Sequence, residues 1–425
     1  MPIAPCSVRW LTSFCEEVDN MSCNRLRRNN SARCLFYVAM TLYAVVVLTS
    51  CNKEDNPITP VNPPVTSAYI IGTAWYPNYG SLTNYNFLYP SKDPYGNTVM
   101  LSGTISMGAE VTKGKPARGL MLYNHYSIFR DDECASKGKL DIQDKVRGSG
   151  LIVISPDSYG FGSTENQQQA YCMASLNAQA SVDALIAAKQ LLAQEGYLYD
   201  DVLINIGYSQ GAQTAIGVLK LVTEKYPDIR FTRTLAGAGP YDLTETYLQL
   251  IEQNRSGMSS NAISVLLAYN EYCHLGFTRN ELFREPVLSH IDDWILCKKY
   301  KRQEIDEKIG EVNLTDCLVP ELSDMEKSIS QKFVQAFVRE SLCMGWIPRK
   351  DENILLFHSL LDDTVPPSNT TLLYQFLSEQ GVENVELDEG KYGIILDKGQ
   401  HTFAALTFTS HVKAWICDYF GIQEW

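Results

Sequence analysis

Three short stretches carry side chains that together could perform nucleophilic acyl transfer. Gly207-Tyr208-Ser209-Gln210-Gly211 follows the apolar run Val202–Ile206 and precedes a helical run beginning at Ala212. A serine hydroxyl is a poor nucleophile unless a sharp strand-to-helix turn exposes it, and flanking glycines remove the side chains that would collide there. The helix opening at Gln210 points its amide end at this turn, so the Gln210 N–H can donate to an oxyanion. Downstream, His358-Ser359-Leu360-Leu361-Asp362-Asp363-Thr364-Val365-Pro366 puts a carboxylate just after a strand. Asp362 is the chosen acid and Asp363 its near competitor, because sequence shows neither burial nor direction. Gly399-Gln400-His401 supplies an imidazole in the loop entering the last helix. Of six histidines, His274 and His290 fall in the helical middle of the chain and His411 inside the last helix; His401 alone falls in the loop after the last strand and is taken as the base. An alcohol, an imidazole that takes its proton and a carboxylate that orients the imidazole are the parts acyl transfer needs.

The segments that must position these groups alternate between strand and helix. Asn84–Tyr89 and Thr98–Ser106 read as early strands. Gly119–Asn124, Gly150–Ser155, Val202–Ile206, Arg233–Ala236 and Asn353–Phe357 are apolar runs of strand length bounded by turn residues, the pattern of strands buried on both faces. Ser175–Glu195 and Ala212–Tyr226 carry Ala, Val, Leu and Ile at helical spacing and read as crossover helices. The expected architecture is α/β, a mainly parallel sheet flanked by helices. From about 241 to 349 the alternation stops, and pieces of helical periodicity (Tyr247–Gln253, Ala262–Tyr272, Ile291–Tyr300, Met325–Leu342) follow one another between two sheet strands. Insertions at strand ends build active-site walls, so this segment is expected to be a helical cap.

From about Gly119 to Trp425 the chain resembles an α/β-hydrolase with a helical cap. GYSQG, HSLLDDTVP and GQHTFAA are similar to the nucleophile elbow, acid loop and histidine loop of that superfamily, and the order Ser209, Asp362, His401 matches its nucleophile, acid, base order. Pro156-Asp157-Ser158-Tyr159-Gly160-Phe161-Gly162 resembles its D-x-x-G-x-G turn. The long cap and Tyr123-Asn124-His125 look closest to secreted lipases and esterases. The resemblance implies a serine hydrolase acting on carboxylic esters, with a small-molecule, lipid or glycan ester as substrate and no metal or organic cofactor. Where the superfamily has His-Gly, this chain has His125-Tyr126-Ser127, so by position the second oxyanion donor is the Ser127 N–H, with Tyr126 the weaker choice. His125 is expected to shape that loop and Asp157 to satisfy amides at its own turn.

Two other readings share these residues. A capped serine exopeptidase would need acids in the cap to hold a substrate amino group, for which Asp292-Asp293 or Glu281 and Glu285 are available. A lipoprotein that keeps the fold but only binds a glycan or lipid has no requirement for all three chemistries at matching positions.

The first fifty residues have the layout of an export signal. Arg25, Arg27, Arg28 and Arg33 precede an uncharged run from Cys34 to Ser50, shorter than the about 20 apolar residues a membrane span wants. It ends in Leu48-Thr49-Ser50-Cys51, which resembles a bacterial lipobox and implies lipidation of Cys51. Residues 1–50 are thus expected to be a lipoprotein signal peptide, with Met21 giving a more usual start, and 51–68 a proline-rich tether. The folded domain is expected over 69–425. Two acyl chains would hold such a domain at a membrane, and Asn52-Lys53-Glu54-Asp55 looks like the export tag of some outer-membrane lipoproteins, which implies the cell envelope and surface display.

The chain has 425 residues, 45% hydrophobic, with 36 basic and 49 acidic side chains. Removing the five arginines and three acids of residues 1–50 leaves 31 and 46, a net charge of −15. A nucleic-acid partner is excluded on that charge, since no basic face is available to meet phosphates. Seven cysteines remain beyond Cys51, an odd number, so at least one thiol stays unpaired.

Overall fold

The computed structural model describes residues 68–76, 82–138, 147–388 and 400–423. The signal, the lipobox cysteine and the tether proposed above lie outside the described residues. Nine strands form one sheet in the order β1-β2-β3-β5-β4-β6-β7-β8-β9. The strands are β1 (Tyr69–Tyr76), β2 (Leu82–Lys92), β3 (Thr98–Met107), β4 (Leu120–Asn124), β5 (Ile152–Pro156), β6 (Leu203–Tyr208), β7 (Arg233–Gly237), β8 (Asn353–Phe357) and β9 (Asn384–Asp388). β1, β2, β3 and β5 pair antiparallel, and every pairing from β5 through β9 is parallel. The parallel half is built from the apolar runs: β4, β5, β6 and β7 are buried at every residue. Such strands need cover on both faces. α1 (Ala174–Gln194) and α2 (Gln210–Lys225) supply it, with α7 (Ser368–Glu379) and α8 (Gln400–Phe420) completing the layers.

Between β7 and its sheet neighbour β8 the chain leaves the sheet for residues 238–352. This segment holds α3 (Leu243–Gln253), α4 (Ser259–Tyr272), a π-helical turn (Ile291–Leu296), α5 (Arg302–Ile309) and α6 (Ser328–Glu340), and contributes no strand to the sheet. The periodicity of Ile291–Tyr300 is thus realised as a π turn and not as an α-helix. The segment is tied to the body by buried polar contacts. Tyr269 donates to the Cys172 carbonyl at 3.0 Å. Lys298, buried, donates to the carbonyls of Gly160, Glu165 and Gln167, and burial pushes its pKa down to about 8. All seven described cysteines are free thiols.

One buried acid lies away from the strand ends that carry the candidate site. Asp183 on α1 accepts from Ser91 Oγ at 2.8 Å and Gln179 Nε2 at 2.9 Å, and burial pushes its carboxyl up to about 6. The folded chain therefore holds this proton between the unfolded value of about 3.9 and 6, so the group's contribution to stability is greatest below that window and falls as pH rises through it. Asp183→Asn removes the buried charge; its amide oxygen can accept from Gln179 Nε2, and its amide nitrogen can donate to the Ser91 hydroxyl, which turns from donor to acceptor. It is expected to stabilise the protein at pH 8 by on the order of 2 kcal/mol and to leave it unchanged at pH 4, measured by thermal melts at the two pH values. A variant less stable at pH 8 would contradict this.

Candidate active site

Ser127, Ser209 and Asp362 follow the carboxyl ends of the parallel strands β4, β6 and β8, where loops of open α/β sheets gather ligands, and His401 opens α8 beside them. β6 ends at Tyr208 and α2 begins at Gln210, so Ser209 alone makes the turn, with φ 56° and ψ −126°. A non-glycine residue in that region costs about 1–3 kcal/mol and persists only where its surroundings enforce it. Here Ser209 N–H donates to the Gly237 carbonyl at 2.7 Å, and its own carbonyl accepts from Ala212 at 2.9 Å. A Cβ on Gly207 would stand 2.0 Å from the Gly211 carbonyl oxygen, and one on Gly211 would stand 2.1 Å from that of Asn124. Both obstacles are backbone and cannot rotate away. Gly211→Ala is expected to push α2 off β4 and cost about 3 kcal/mol, read as a lowered melting temperature; an unchanged melt would show the turn to be looser than these contacts imply.

His401 lies in the first turn of α8 with Nε2 2.8 Å from Ser209 Oγ and Nδ1 2.6 Å from Asp362 Oδ2. Asp362 Oδ1 accepts the N–H groups of Thr364 and Val365 at 2.9 and 2.8 Å. Burial alone would raise this carboxyl. Electrostatic attraction to His401 and hydrogen bonds from His358 and His401 outweigh burial and hold it well below the usual carboxylate range. Its stabilising effect is accordingly present above the unfolded value of about 3.9 and lost as pH falls below it. Asp362 fixes the tautomer: a carboxylate at Nδ1 keeps the proton there and leaves Nε2 free to accept from the serine.

His358 went unremarked in the sequence, although it directly follows β8. Its Nε2 is 3.0 Å from the Val365 carbonyl and 3.3 Å from Asp362 Oδ2, and Nδ1 is 2.6 Å from Thr370 Oγ1. Since a carbonyl can only accept, Nε2 carries the proton and also supports Asp362. Asp363 turns elsewhere. Its Oδ1 accepts the His401 N–H at 3.3 Å, at the amino end of α8, and its Oδ2 is 3.9 Å from Arg255. It is mostly buried, so it fixes the start of α8 and is not the solvated turn an acidic pair suggests. Tyr208 of the GYSQG motif adds a second tie, donating to the His401 carbonyl at 2.6 Å.

On the other side of Ser209, Ser127 follows β4, and its hydroxyl is 2.8 Å from that of buried Tyr171. His125 ring nitrogens face the carbonyls of Tyr126 and Asp157 at 2.7 and 3.2 Å, a loop-shaping role. Asp157 is fully buried and accepts from the Ser136 N–H and the Ser102 hydroxyl. Two cavities meet at Ser209, of about 350 and 50 Å³, and the inserted segment walls both. Glu281, Glu285, Asp292 and Asp293 line neither. Asp292 is held by Arg279 and Glu281 by Thr278, while Ser289 donates to Glu285. Among the described residues no group of His, Cys, Asp and Glu is arranged to hold a metal ion.

A family model for secretory lipases matches residues 142–423, two-thirds of the chain, and spans Ser209, Asp362 and His401. The chain belongs to the secretory lipase family. As a member it is a carboxylic ester hydrolase of a secreted class. No curated protein matches it in sequence. Among solved structures, the rice cell wall degrading esterase LipA from Xanthomonas oryzae is similar with a TM-score of 0.71 at 17% identity, over 83% of this chain and 98% of its own. A putative hydrolase from Legionella pneumophila is similar with a TM-score of 0.69 at 19% identity, over 84% of this chain and 92% of its own. Candida antarctica lipase A in its closed state is similar with a TM-score of 0.58 at 15% identity, over 78% and 79%. These likenesses carry the fold, an α/β-hydrolase. Ser127 and strands β1 to β4 precede the region that the family model matches. No helix among the described residues is long and apolar enough to cross a membrane.

Proposed function

We propose that this secretory lipase relative cleaves carboxylic esters through a Ser209, His401, Asp362 triad and a covalent acyl-enzyme. Ser209 Oγ bonds to the ester carbonyl carbon while its proton passes to His401 Nε2. The carbonyl π electrons move to oxygen, and the tetrahedral oxyanion is held by the N–H groups of Gln210 and Ser127. When the tetrahedral centre collapses, the carbon–oxygen bond to the alcohol breaks, and His401 returns the proton to the departing oxygen. Water then repeats the sequence against the acyl-serine and releases the acid. Asp362 stays ionised and orients the imidazole. The observation that carries the reading is the unbroken relay from Ser209 Oγ through His401 to a buried carboxylate, at 2.8 and 2.6 Å. Gln210 is the first residue of α2, which supports its N–H as one oxyanion donor, and Ser127 borders both cavities beside Ser209. At the cell we propose attachment through lipidated Cys51 to the outer membrane, facing outward, with the helical insertion acting as the cap over the site.

Ester and amide cleavage use the same triad, but the acids offered for an exopeptidase, Glu281, Glu285, Asp292 and Asp293, line neither cavity, and the first three are held by other partners. The expected outcome is release of nitrophenol from short-chain nitrophenyl esters, with no release of nitroaniline from aminoacyl-nitroanilides. The reverse preference would make the chain a peptidase. A protein that cleaves neither and takes up no serine-directed probe would be a binder.

A further inference from the structure

We propose that the ester has a short apolar acyl group and a polar, polyhydroxylated alcohol such as a sugar, seated on opposite sides of Ser209; this rests on the triad reading above. The two cavities share Ser127, Ser209, Asn261 and Thr364, and differ in what else they touch. The larger, of about 350 Å³, is bordered by His401 and by the first turns of α8; the smaller, of about 50 Å³, is bordered by Gln210 and Pro240 and not by His401. The proton taken from Ser209 must reach the departing alcohol oxygen, so the alcohol leaves within reach of His401 Nε2. The acyl group stays on Ser209 beside the Gln210 amide. The geometry therefore assigns the large cavity to the alcohol and the small one to the acyl chain.

Size and chemistry follow from the linings. A single water needs about 10–15 Å³ on this scale, so the small cavity takes on the order of four water-sized groups, an acyl chain of about two to five carbons. Leu243, Tyr247, Leu250, Met258 and Val265 make up much of its wall. Tyr247 is not free to swing aside: its hydroxyl donates to the Leu322 carbonyl at 2.7 Å and its ring packs on Phe337. Thr246 is occupied too, donating to the Asp242 carbonyl at 3.1 Å and accepting from Asn369 at 3.0 Å. Gln210 Oε1 and Asn261 Oδ1, buried without a hydrogen-bond partner, also border this cavity, but most of the surface offered to the acyl tail is carbon, which favours an apolar chain. The large cavity is bordered by Glu133, Lys301, Arg302 and Gln303 as well as by Leu406 and Phe408. Carbon makes up most of this lining too, but its polar share is larger than in the small cavity, and Lys301 and Gln303, exposed at its edge, can bond hydroxyls.

The test uses the full chain and two ester series. Across nitrophenyl acetate, butyrate, octanoate and laurate, kcat/KM is expected to be highest at two to four carbons and at least about tenfold lower at octanoate. Leu250→Ala and Val265→Ala, made separately, each remove wall from the small cavity, and the octanoate-to-butyrate ratio is expected to rise about tenfold. With butyrate held constant, a butyrylated methyl glucoside is expected to exceed butyl butyrate by about tenfold, its hydroxyls making bonds at the edge of the large cavity that a butyl group cannot. Laurate cleaved as well as butyrate, or a ratio unmoved by both variants, overturns the acyl assignment. Equal rates for the glucoside and butyl esters overturn the alcohol assignment. A chain that cleaves no ester and takes no probe at Ser209 overturns the triad reading, and this proposal with it.

Discussion

Ser209→Ala is expected to lower kcat/KM for nitrophenyl butyrate by about 10⁴-fold or more, because members of a triad act as a unit and loss of the nucleophile leaves only binding and oxyanion stabilisation. The same variant is expected to melt at the wild-type temperature or slightly above. Ser209 occupies its strained turn through backbone bonds to Gly237 and Ala212, which alanine retains, and alanine leaves no hydroxyl to hold beside His401. The pair of measurements separates chemistry from folding. Residual turnover within tenfold of wild type would move the nucleophile elsewhere, and a collapsed melt would make the kinetic loss uninformative about mechanism.

The second large effect concerns the two adjacent acids. Asp362→Asn is expected to cost about 10⁴ in kcat, since an amide in place of the carboxylate lets the imidazole take the wrong tautomer while leaving the geometry nearly intact. Asp363→Asn removes a carboxylate that caps α8 through the His401 N–H and is expected to cost less than about tenfold, an amide oxygen being able to accept the same bond. Comparable losses from the two substitutions would remove the distinction drawn here. So would a larger loss at Asp363. The contrast is useful because the residues are neighbours: any general disturbance of the loop would affect both.

Much of this arrangement was legible in the chain. GYSQG between an apolar run and a helical run identifies a strained serine because few other uses exist for glycines on both sides of a residue at that junction, and the distances from their added Cβ atoms to backbone show why. The parallel strands were legible because burial on both faces writes an uninterrupted apolar word. The outer strands were not. β9 reads Asn-Val-Glu-Leu-Asp and has no buried residue, and β1 is largely exposed, so neither carries the pattern that betrays a strand. α5, Arg-Gln-Glu-Ile-Asp-Glu-Lys-Ile, is highly charged and shows only a narrow apolar face, yet Arg302 at its start borders the large cavity. Asp362 is preferred with Asp363 as its near competitor, and adjacency alone does not separate them, because one residue of register decides which carboxylate faces the imidazole. His358 could have been suspected, since a histidine at a strand end is well placed to back an acid four residues on, but its proton position depends on the Val365 carbonyl, which only the folded loop supplies.

The most direct test is the site of covalent capture. Treating the full chain with a fluorophosphonate at neutral pH, digesting it and sequencing the modified peptide by mass spectrometry is expected to place a single adduct on the serine of the Gly207–Gly211 segment, with labelling lost in Ser209→Ala and slowed by orders of magnitude in Asp362→Asn. An adduct on another serine, or undiminished labelling of the Ser209→Ala protein, would contradict the account.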